Sequence, residues 1–89
     1  MNDKKKLTLN KIESLLSETL SPSILEVVDE SQYHIGHAGA ASGGGHFRVK
    51  IKAKKLEGIS RIQQHRIVND TLKPLFANEI HALAIEVKK

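Results

Sequence analysis

A chain of 89 residues forms one domain with a thin core, and with no cysteine it has no disulfide to staple that core. Fourteen Lys and Arg against ten Asp and Glu leave a net charge of +4, which permits an acidic or nucleic-acid partner without requiring one. No apolar run approaches the roughly 18 residues of a membrane span, and no apolar stretch follows the charged start, so the expected compartment is cytoplasmic.

Residues 1–6 read as a flexible basic head. From Leu9 the apolar residues Leu9, Ile12, Leu15, Leu16 and Leu20 recur at helical spacing, and Lys11, Glu13, Ser14, Ser17 and Glu18 lie between them. The pattern predicts a helix from about Lys5 to Leu20. Ser21-Pro22-Ser23 stops it, because proline restricts the residue before it and lacks a donor. Ile24 to Asp29 is short and β-branched, and reads as a strand. Residues 30–45 are rich in Gly, Ala, Ser and His and show no period; they read as a mobile loop, unusually long for so small a domain.

The clearest strand pattern follows. Phe47, Val49, Ile51 and Ala53 alternate with Arg48, Lys50, Lys52 and Lys54, predicting one apolar face and one cationic face. Glu57-Gly58 turns the chain, and Ser60 with Gln63 matches a capping box. In the helix that follows, Ile62, Ile67, Val68, Leu72 and Leu75 can share a face, and Pro74 ends or kinks it near Thr71 to Lys73. Ile80 to Val87 is the last strand, with His81 placed by alternation on the face of Leu83, Ile85 and Val87. The expected fold is α/β (α+β): one domain over 1–89, order α-β-β-α-β, with both helices on one face of a three-stranded mixed sheet.

Five histidines beside no cysteine and no tryptophan are the most unusual feature. His34, His37 and His46 fall in or next to the loop, His65 on the second helix and His81 on the final strand. Imidazole suits zinc, copper, iron and nickel. A histidine on an apolar face is more often a satisfied core residue, however, and His65 reads most simply as helix packing. The spacing His34-x-x-His37 is weak alone, because structural zinc takes four protein ligands and catalytic zinc three. A zinc enzyme built on His34, His37 and His46 would also need a paired carboxylate base, and none is readable, so the chain is expected not to be an enzyme. Without thiolates the chain can supply only the nitrogen half of an iron–sulfur ligand set, as histidines do on one iron of Rieske clusters.

Several blocks in order resemble the BolA family: Leu25-Glu26-Val27-Val28-Asp29-Glu30-Ser31, His34-Ile35-Gly36-His37-Ala38-Gly39, Gly45-His46-Phe47-Arg48-Val49, Gln64-His65-Arg66-Ile67-Val68 and Ile80-His81-Ala82-Leu83-Ala84-Ile85. The match runs from about Leu9 to Val87. The resemblance implies a fold related to the type II KH domain and a monothiol glutaredoxin as partner. It also implies a [2Fe-2S] cluster bridging the two proteins, with sulfur ligands from the glutaredoxin cysteine and glutathione. By position His81 is one ligand, and His34 or His37 is the other. His46 and His65 match histidines that are structural or partner-facing. The isolated chain is expected to carry no cofactor and to be a monomer or weak homodimer.

The competing expectation is a KH-like, DNA-binding transcription regulator, using Arg48, Lys50, Lys52 and Lys54 with His65 and Arg66. Against it, the KH grip uses a Gly-x-x-Gly loop between helices. Here that spacing, Gly36 to Gly39, falls between strands. Aromatic residues for base stacking are limited to Tyr33, Phe47 and Phe76.

Overall fold

In the computed structural model the described residues are 3–30, 45–77 and 79–89. A long helix α1 (Asp3–Leu20) leads into strand β1 (Ile24–Asp29). Strand β2 (Gly45–Lys52) follows, then a 3-10 turn at Lys54–Leu56, helix α2 (Arg61–Leu72), a second 3-10 turn at Lys73–Leu75, and strand β3 (Ile80–Val87). The sheet order is β1-β2-β3, with β2 antiparallel to β1 and parallel to β3. This is the expected mixed sheet. The helix begins earlier than the periodicity predicts, so Lys4 to Lys6 belong to its first turns. The loop histidines His34 and His37 lie outside the described residues.

The alternation of β2 organises the core. Gly45, Phe47, Val49 and Ile51 are buried, and His46, Arg48, Lys50 and Lys52 are only partly covered. Against the buried face pack Ile12, Leu16 and Leu20, four residues apart on one stripe of α1, together with Val68 and Leu72 of α2 and Leu75 just beyond it. Leu83, Ile85 and Val87 of β3 close the side of this cluster. Ile62 departs from the expected face of α2: it sits in the first turn, ahead of the part that meets the sheet, and is 72% exposed.

The ends of both helices have chemical causes. Ser21 adopts φ +46 and donates its N–H to the Ser17 carbonyl at 3.1 Å, ending α1 just before Pro22. Lys55 Nζ donates to the Thr19 carbonyl at 2.8 Å, satisfying another acceptor of the last turn. At the start of α2 the capping box is complete: Ser60 Oγ accepts from the Gln63 N–H at 3.2 Å, and Gln63 Oε1 accepts from the Ser60 N–H. Gly58, at φ +74, supplies the left-handed turn that precedes it. Pro74 falls in the 3-10 turn, so α2 stops at Leu72 as expected.

Leu72 is fully buried between α2 and the sheet. Leu72→Ala is expected to lower unfolding stability by about 2–5 kcal/mol in urea titrations. Ser60→Ala, which removes only the cap, should cost about 1 kcal/mol.

Candidate histidine site at the start of the parallel strands

His46 and His81 come together where β2 and β3 begin. Strict alternation would put His81 on the core face with Leu83, but the register breaks. Gly45 pairs with Ile80, and the next residue of β2, His46, pairs with Ala82. β3 therefore carries one extra residue there, His81, with no partner opposite it. The bulge resets the pleat: Ile80 enters the core at 3% exposure, and His81 is exposed. The expected core-facing placement of His81 is thus corrected, and the reason is the inserted residue, which re-aims its side chain.

The ring of His81 lies 5.0 Å, centroid to centroid, from that of His46, with a tilt of 42°. His46 is partly buried and its Nε2 is fully covered. Its carbonyl accepts the Glu30 N–H at 2.7 Å, tying the end of β1 to the same point. The Gly45 N–H donates to the Glu79 carbonyl at 3.1 Å, and the Glu79 N–H donates to the Leu75 carbonyl at 2.9 Å. The Glu79 carboxylate takes Lys11 Nζ at 3.1 Å and the Thr8 hydroxyl at 3.4 Å, so α1 also fastens this corner.

Gly45 is required by close approach: a Cβ built there would fall 2.8 Å from Cζ of the buried Phe47 ring. Gln64 Nε2 donates to the Leu56 carbonyl at 2.7 Å, at the opposite end of the sheet. His65, next along α2, lines a groove there with Lys52, Leu56, Arg61 and Val87. The structure therefore does not bring His65 to His46 and His81, and Arg66 beside it is exposed.

The cationic row is less bare than alternation predicts. Arg48 Nε donates to the Glu30 carboxylate at 2.9 Å, and Lys50 Nζ stands 3.9 Å from the Glu26 carboxylate. The hydrogen bond and charge of Glu30 raise the Arg48 guanidinium above its ordinary value. Lys88 holds the Glu86 carboxyl below its ordinary value, chiefly by its hydrogen bond and then by its charge. Strands β1 and β3 thus interleave carboxylates with the cations of β2. Lys54 is not in this row: β2 ends at Lys52, and Lys54 opens the 3-10 turn. Among the described residues no three His, Cys, Asp or Glu side chains converge as a metal cage, and no helix is long and apolar enough to cross a membrane.

The pairing of His46 with His81 escaped the sequence reading, because a bulge leaves no mark in the alternation of β3 after Ala82. The nearest sequence clue is Gly45, which ends the glycine run directly before His46.

Gly45→Ala is expected to cost about 1–3 kcal/mol in denaturant titrations, because Phe47 is locked in the core. The Glu86 contribution to stability is complete above the unfolded carboxylate value of about 4.3 and is lost as pH falls through its lower folded value. In Lys88→Ala, the Glu86 carboxyl should titrate at higher pH by NMR.

Comparison with known proteins places the chain in a family. The model of the BolA-like protein family matches residues 16–89. The chain is 42% identical over 77 residues to BolA-like protein 1 of Mus musculus, covering 86% of this chain and about half, 54%, of that one. It is 40% identical over 74 residues to a Vibrio cholerae protein named DNA-binding transcriptional regulator BolA, covering 83% of this chain and 67% of that one. The solved BolA domain of SufE1 from Arabidopsis thaliana superposes with a TM-score of 0.78 at 33% identity, over 90% of this chain and 88% of that domain. In sequence and in the arrangement of two helices on a three-stranded mixed sheet, the chain belongs to the BolA-like family.

Proposed function

We propose that the protein is a non-enzymatic partner of a monothiol glutaredoxin and lends imidazole nitrogen to a [2Fe-2S] cluster shared between the two. The observation that carries this reading is the exposed His81, turned out of the core by the bulge of β3 in a chain of the BolA-like family. An exposed imidazole on a bonded strand is a nitrogen donor that another molecule can reach. Its chemistry fits the histidine side of a mixed nitrogen and sulfur ligand set. The chain has no thiol of its own, so sulfur donors come from the glutaredoxin cysteine and glutathione. His34 or His37 is the second donor in this proposal. The cluster, when bound, supplies the electron-accepting iron. The protein's part is to present neutral imidazole at a fixed place and to dock the partner around it.

A second reading, DNA binding, is favoured by the name of the Vibrio relative and by the positive net charge. Pairing of Arg48 and Lys50 with Glu30 and Glu26 lowers the field of that row toward phosphate. If phosphate contacts drove the function, affinity would fall steeply with salt.

The test mixes the protein with a monothiol glutaredoxin, glutathione, iron and sulfide, and records visible circular dichroism. The expected result is a heterodimer spectrum that His81→Ala changes and that one of His34→Ala or His37→Ala changes as well. A bridged spectrum indifferent to all three substitutions would overturn the reading.

A further inference from the structure

We infer that His46 is the positioning residue for His81: its anchored ring selects the side-chain orientation in which the exposed imidazole meets a metal centre. The inference rests on the reading of His81 as a ligand and assigns the neighbouring histidine a role of its own.

The two rings are held very differently. His46 lies on the central strand, with Ala82 as its pairing partner on β3. Its carbonyl accepts the Glu30 N–H, and its Nε2 is covered. His81 is the unmatched residue of the bulge, so no side chain stands opposite it in the register and the pleat alone does not set its direction. An exposed side chain of that kind distributes itself over staggered rotamers, and ordering it on binding costs conformational entropy. The ring of His46, 5.0 Å away and tilted 42°, is an aromatic surface beside which the His81 ring stands. Ala82 brings only a methyl group beside His46, which leaves room for that arrangement. A ligand whose orientation is set before binding gives up less freedom when it binds. Neighbours that orient a histidine ligand matter to metal sites: where the neighbour is hydrogen-bonded to the ligand, losing it typically weakens binding by about 10–100-fold.

The role is one of shape, which separates it from ligation. A phenyl ring at the same position keeps a flat face for His81 to rest on but has no nitrogen. Two variants of the full chain, His46→Phe and His46→Ala, therefore test it through two readouts. The first is NMR of the isolated protein, in which side-chain couplings and ring NOEs report whether His81 keeps one rotamer. The expected result is a single rotamer in wild type and in His46→Phe, and averaging in His46→Ala. The second is visible circular dichroism of the cluster-bridged heterodimer. Here His46→Phe should resemble wild type. His46→Ala should move toward the His81→Ala spectrum, with partial loss of the bound cluster.

Amide NMR spectra of the variants confirm that each is folded. Should His46→Phe not fold, His46→Tyr serves the same purpose. An unaveraged His81 in His46→Ala would overturn the inference. So would a His46→Phe heterodimer as impaired as His46→Ala, because the nitrogen and not the ring would then be what matters. If His81→Ala itself leaves the cluster spectrum unchanged, the ligand reading fails, and the isolated-protein NMR still decides the role of His46.

Discussion

Strand β2 must face two ways at once, and the rest of the molecule is arranged around that demand. Its odd-numbered side chains, Phe47, Val49 and Ile51, are sealed under α1 and α2, and its even-numbered ones remain at the surface. Being central, it is bonded by β1 on one side and β3 on the other, so its pleat cannot slip by one residue without putting Arg48 and Lys50 into the core. The histidine pair borrows this rigidity. His46 takes its orientation from the same alternation that buries Phe47.

The outward face shows how charge is managed on such a strand. Two cations of β2 meet a carboxylate from the β1 side, Lys50 from Glu26 in the strand and Arg48 from Glu30 just past its end, and Glu86 of β3 pairs with Lys88 at the far edge. Exposed pairs of this kind add little to stability. What they do is divide a row of positive charge into short dipoles.

Much of this architecture is legible in the sequence because it follows from periodicity and punctuation. The stripe of Ile12, Leu16 and Leu20, the alternation from Phe47 to Ile51, the capping box at Ser60 and the stop at Pro74 each announce an element through local chemistry. What was not legible depends on partners far away in the chain. Ile62 carries the right hydrophobicity for the α2 face but precedes the stretch that meets the sheet. His81 falls on the core side of an unbroken pleat and leaves it only because Gly45 and Ile80 pair one step out of phase with His46 and Ala82. Lys54 continues the alternation of β2 in sequence, yet Ala53 is the last extended residue and Lys54 already opens the 3-10 turn. Spacing along one strand cannot report a register error shared by two.

The inserted residue of β3 separates two duties that a regular strand would merge. Ile80 and Leu83 carry the packing, and the position between them that bears His81 is released from it. A change of side chain there leaves the hydrophobic interior intact, so such a protein keeps its core. On the proposed reading of His81 as a ligand, it would act as a blank, occupying whatever the native surface meets while withholding the imidazole, and its effect would scale with copy number rather than with misfolding.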